Sequence, residues 1–151
     1  MDLRDYTSRK VEINSLREAV LLVKKHLHRI YYIDGLKEKY VNKKRHCLIT
    51  IMKPNQEIIK FIVLFKRAFF GTYSQQFDTA SGLGESINKS CLEAYKKMGV
   101  DTILYVYPDK KIYSITVDKF INMGYGNNYI RKQKSGEVTV HIPISMLKRW
   151  A

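Results

Sequence analysis

The stretch Ile58-Ile59-Lys60-Phe61-Ile62-Val63-Leu64-Phe65-Lys66 decides the fold. Its apolar side chains fall on both parities, so both faces of an extended segment must be covered, as in a strand at the middle of a sheet. Isoleucine, valine and phenylalanine dominate it, and such side chains pack well on a pleated surface. Just upstream, Cys47 to Met52 forms a second apolar run, and Pro54-Asn55 between the two marks a turn. Together they predict a hairpin.

Working towards the N-terminus, Ser15 with Glu18 three residues on is a capping box. It opens a helix predicted over residues 15–28, with Leu16, Val20, Val23 and Leu27 along one stripe. Residues 10–13 alternate like a short strand, and residues 29–33 predict another, ending at the Asp34-Gly35 turn. Residues 36–45 read as a basic loop or short helix.

Towards the C-terminus, residues 70–84 make a long neutral polar loop, of a length that compact domains keep mainly for binding. Ile87, Cys91, Tyr95 and Met98 then predict a helix over 86–98, stopped by Gly99. Strands over 102–107 and 112–117 follow, then a short helix over 118–123. A hairpin of 129–134 with 138–142 turns at Ser135-Gly136, and a helical turn over 145–150 ends the chain. The expected fold is a single α/β (α+β) domain over residues 1–151, with a mixed central sheet flanked by helices. Helical crossovers are too few for a doubly wound parallel sheet.

Charge narrows the partner. The 151 residues carry 27 Lys and Arg against 14 Asp and Glu, a formal net charge of +13. A surplus of that size favours a polyanion. No apolar run approaches the ~20 residues of a membrane helix, and Met1 to Lys10 is too polar for a signal peptide, so a soluble cytoplasmic protein without a membrane partner is expected. Cys47 and Cys91 lack a CxxC spacing and read as reduced, buried thiols. The histidines His26, His28, His46 and His141 have no zinc-site spacing and read as surface or packing residues.

The segment from Gly82 to Ser90, GLGESINKS, has the look of a phosphate loop but not its spacing, since Asn88 and Leu83 stand where a Walker A motif needs glycine. Two readings remain, a capping loop or a helix start whose backbone N–H groups meet a phosphate. Basic residues interleave with aromatics twice: Lys43, Lys44 and Arg45 follow Tyr31, Tyr32 and Tyr40, while Arg131, Lys132 and Lys134 follow Tyr125 and Tyr129. Cations of this kind neutralise phosphates while tyrosines pack on sugars or bases. Arg67, Lys89 and the loop residues Tyr73, Gln75 and Gln76 complete the candidate nucleic-acid contacts.

Lys66 closes the central strand just before the long loop, as either a snorkelling edge lysine or a site lysine. The element order, with a first helix carrying Glu18, a hairpin ending in Lys66, a helix and the pair TILYVYP and IYSITV, resembles the PD-(D/E)XK nuclease superfamily. The resemblance covers roughly Val11 to Phe120. It implies Mg²⁺-dependent cleavage of DNA, double-stranded by expectation, by a homodimer or higher homo-oligomer, with Lys66 as the motif lysine. In place of the motif acid two residues earlier stands Leu64. Ligands for Mg²⁺ would then come from Asp34, Glu57 and one of Glu12 or Glu18, with Asp78 and Glu85 also open. Each has a structural alternative: Glu18 as the capping acid, Asp34 as a turn residue. The expected function is an endonuclease with Lys66, Glu57 and Asp34 in catalysis, or a non-catalytic nucleic-acid-binding protein on the same scaffold.

Overall fold

The computed structural model describes residues 10–71, 76–77 and 82–151. It is a mixed α+β structure. The first helix, α1 (Leu16–Ile30), starts where the capping box puts it: Ser15 Oγ accepts from the Glu18 N–H, and the Glu18 carboxylate accepts from the Asn14 N–H at 2.7 Å. Its buried stripe is Ala19, Val20, Val23 and Leu27. The helix runs through Arg29 and Ile30, so the strand expected there does not form. Tyr31 caps the helix by donating its N–H to the Leu27 carbonyl, and the chain turns extended.

The next segment is a strand, not a loop. β1 (Gly35–Val41) pairs antiparallel with β2 (His46–Met52), which pairs antiparallel with β3 (Ile58–Phe65). β1 is the sheet's edge and its outer positions are exposed, so its polar sequence KEK carries no hydrophobic strand pattern. The long central run behaves as its composition requires. Ile62 and Leu64 join one core with helix α2 (Lys89–Lys97), while Phe61 and Val63 join the other core under α1.

β3 pairs in parallel with β6 (Thr102–Val106), and β6 pairs antiparallel with β7 (Ile112–Thr116). The order of the six-stranded sheet is β1-β2-β3-β6-β7-β10, where β10 (Lys148–Arg149) lies against β7. Backbone pairing to Tyr113 and Ser114 therefore replaces most of the expected C-terminal helical turn, which survives as a 3₁₀ turn at Ile144–Met146. At the other end, residues 10–13 form no strand; Glu12 and Ile13 donate to the Pro108 carbonyl instead.

A second sheet has the order β4-β5-β9-β8, from β4 (Gln76–Phe77), β5 (Gly82–Asn88), β9 (Val138–Pro143) and β8 (Ile130–Lys132). β5 occupies what the helical spacing assigned to the start of a helix. Pairing with β9, Glu85 opposite Ile142 and Ile87 opposite Val140, holds it extended, and Asn88 then caps α2 by accepting from Ser90 N–H at 3.0 Å. The hairpin of β8 and β9 forms as expected.

Helix α3 (Val117–Gly126) packs on β9 so closely that a Cβ added at Gly124 would overlap Cγ1 of Val140. Gly124→Ala should cost about 1–3 kcal/mol of stability by overpacking, and adding Val140→Ala should recover part of it. Urea unfolding of the three variants checks this.

Candidate nucleic-acid interface

Parallel strands β3 and β6 end side by side, with Lys66 N–H donating to the Val106 carbonyl at 2.8 Å. Ligands of sheets with parallel strands commonly sit beyond such carboxyl ends. Here two adjoining cavities of about 490 and 370 Å³ open, sharing Asn14, Phe65 and Arg67. Lys44, Arg45, Lys66 and Arg67 line the larger one, with Ser15, Ser86 and His46 between them. Among the described residues, no carboxylate is in its wall. Ser15 and Leu16 bring the first turn of α1, whose N–H groups carry partial positive charge, to the same space.

The cations arrive from local structure. Asn42, Lys43 and Lys44 all hold positive φ, 52°, 55° and 63°, a left-handed run that non-glycine residues rarely adopt. This tight connection between β1 and β2 sets Lys44 and Arg45 at the cavity edge. Lys66 and Arg67 follow directly from the end of β3.

Under the cavity, among the described residues, lies one buried acid. Glu85, 2% exposed, pairs with the Lys66 ammonium at 2.9 Å and accepts from the Tyr107 hydroxyl at 3.2 Å. Beside them Tyr105 is fully buried, and its hydroxyl has no hydrogen-bond partner among the described residues. Burial, reinforced by the Glu85 charge, pushes that phenol well above its ordinary range. On the other side of Lys66, His46 Nδ1 lies 2.5 Å from the Tyr95 hydroxyl of α2. Burial first, then the charges of Lys66 and Arg45, lower the imidazole pKa to about 4.

The residues named from sequence divide between this end and elsewhere. Asp34 and Glu57 belong to the opposite end: Asp34 N–H donates to the carbonyl of Met52, which sits opposite Ile58 at the start of β3. Eight residues of strand at ~3.3 Å each separate that end from Lys66 by about 25 Å, so neither acid can act with it. Glu57 is exposed and held by Lys53 at 3.0 Å, whose hydrogen bond and charge keep its carboxyl below the usual range. Glu12 is near the Pro108 turn but exposed, and Glu18 is spent on the helix cap.

Arg45, Lys44, Lys66 and Arg67 converge, with Lys43 on the adjoining turn. Lys89 points to Glu93 at 4.0 Å and to the Tyr125 ring, outside the cavity wall. Arg131, Lys132 and Lys134 ride the exposed hairpin of the second sheet, whose next strand, β9, puts His141 opposite Ser86 of the cavity wall. Tyr73, Gln75 and Asp78, and the side chain of Gln76, lie outside the described residues.

Among the described residues, no three His, Cys, Asp or Glu side chains group as a metal-ion donor set. Among the described residues, the carboxylate beside Lys66 is that of Glu85, which is already committed to an ammonium and a phenol. Those donors do not fit Mg²⁺, which takes oxygen ligands in octahedral array. His46 is the residue that reading the sequence missed; its one signal was its place at the head of a strand directly after the basic turn. Comparison of the chain with protein-family models, curated proteins and solved structures gives no match in any of the three. Among the described residues, no helix is long and apolar enough to cross a membrane.

Proposed function

We propose that the protein binds nucleic acid, duplex DNA first, by seating backbone phosphates in the cavity beyond β3 and β6. The observation that carries this is the convergence of Lys44, Arg45, Lys66 and Arg67 on a space whose described wall holds no acid. Phosphate contacts fix a protein on a duplex without reading its sequence, so binding should be broadly sequence-independent. Ser15, Ser86 and the α1 N–H groups add uncharged donors to the same phosphates. Among the described residues, the rings in the cavity wall are Phe65 and His46, which make no tier of aromatics on which successive unpaired bases would stack.

Affinity for a short duplex should fall with salt, log K dropping by about 0.9 per phosphate neutralised for each decade of salt. Arg45→Ala and Arg67→Ala should each flatten that slope by roughly one such step. Fluorescence anisotropy across a salt series tests it, and salt-insensitive binding, or slopes unchanged in both variants, overturns it.

A nuclease reading on the PD-(D/E)XK resemblance keeps one specific support, the Lys66–Glu85 pair at the strand end. It predicts Mg²⁺-dependent cleavage of plasmid DNA that Lys66→Ala abolishes. The binding reading predicts intact plasmid with and without Mg²⁺.

A further inference from the structure

We infer that His46 is the group in this cavity that reads the phosphate: its Nε2 side contacts a phosphate oxygen, and the imidazole takes up a proton as the phosphate enters. The inference rests on the binding reading above and adds a residue and a proton to it.

His46 opens β2 opposite Leu64, with its ring packed against Tyr95 at 5.8 Å between centroids. Nδ1 is occupied by the Tyr95 hydroxyl at 2.5 Å. Among the described residues, Tyr105 Oη is the one buried side-chain polar atom without a partner, so His46 Nε2, which has none either, is reached by solvent through the cavity that the residue lines. Burial raises the Tyr95 phenol, so its hydroxyl stays protonated and can donate to Nδ1 of the neutral ring. In that tautomer the imidazole hydrogen is on Nε2, at the cavity that the residue lines. A neutral donor therefore stands between two cations.

The charged and titratable groups around the ring are Arg45 on its own strand's lead-in, Lys66 from β3, Glu85 of β5 acting through Lys66, and Tyr95 with Cys91 from α2. Burial holds the ring neutral, and repulsion from Lys66 and Arg45 adds to it. A phosphate seated between them cancels that repulsion and favours the charged imidazole. His46 therefore titrates higher in the complex than in the free protein. Linkage fixes the sign: affinity is flat above the complex's pKa and rises as pH falls below it, by up to about tenfold per unit, until the free protein also protonates.

The test is the affinity of a fluorescein-labelled duplex at constant ionic strength from pH 7.5 to pH 5, for the wild type, His46→Gln and His141→Gln. His141, also lowered by burial and by Arg131, is the control. Wild type and His141→Gln should tighten about tenfold over the range while His46→Gln stays flat. In parallel, the ¹³Cε1 shift of His46 in the wild-type protein should titrate at higher pH with duplex than without, a readout that stands if the variant fails to fold. Equal pH dependence in wild type and His46→Gln, or an unmoved His46 titration, overturns the inference and leaves phosphate binding standing. Absence of salt-dependent duplex binding at pH 7.5 overturns both.

Discussion

Glu85→Gln should bind duplex DNA more tightly than the wild type, by roughly threefold to fiftyfold. The carboxylate sits 2.9 Å from the Lys66 ammonium, so a phosphate on the outer side of that ammonium lies ~7 Å from it. At effective dielectrics of 80 to 20, the repulsion there is about 0.6–2.4 kcal/mol, and removing it gives the stated gain. Glutamine keeps the shape and an acceptor for Tyr107, so stability should fall by no more than about 1–2 kcal/mol. Anisotropy titration beside thermal unfolding measures both. The nuclease reading demands a different result, since an acid that serves chemistry at Lys66 cannot be neutralised without losing turnover. Tighter binding with no Mg²⁺-dependent cleavage in either protein would settle Glu85 as a structural counterion, and weaker binding would sink the phosphate seat at Lys66.

The parts of the fold that sequence made legible are those where local chemistry and tertiary packing ask for the same conformation. The capping box at Ser15 and the two-faced run from Ile58 both do, and both elements stand where their residues put them. β1 was illegible because an edge strand with a solvated outer face needs no apolar alternation; its pairing with β2 determines it. At β5 the helical spacing of Ile87, Cys91, Tyr95 and Met98 ran across an element boundary. Ile87 is buried from a strand while Tyr95 is buried from a helix, and only the ladder to β9 separates the two.

The candidate site divides in the same way. Lys66, Arg67, Lys44 and Arg45 could be named from charge and position, because a lysine ending a central strand and a basic turn are local features. Asp34 and Glu57 were misplaced because chain proximity says nothing about which end of a strand a residue occupies. An antiparallel ladder sends Met52 and His46 to opposite ends of β2. Glu85 and His46 reach Lys66 from elements distant in sequence, and no pattern within either segment announces the meeting.

Ile62→Ala should produce the largest loss of stability, about 2–5 kcal/mol, with the cavity in the sheet as its cause. Ile62 is fully buried and pairs with Leu48 on one side and Ile103 on the other. For a chain of this length each kcal/mol moves Tm by roughly 2–4 °C, so a fall of about 5–15 °C is expected by thermal unfolding. Duplex affinity at low temperature should nevertheless stay within about twofold, because Ile62 lies four residues before Lys66 in a hydrophobic cluster that includes none of the cations. Residues of β3 up to Phe65 would then set how much of the protein is folded, while Lys66 and Arg67 set what the folded form binds. If affinity falls in step with stability instead, the cation cluster is positioned by the whole strand and not by the turn and strand end alone. Variants at Arg45, on the separate β1–β2 turn, would distinguish the two, since they should weaken binding without moving Tm.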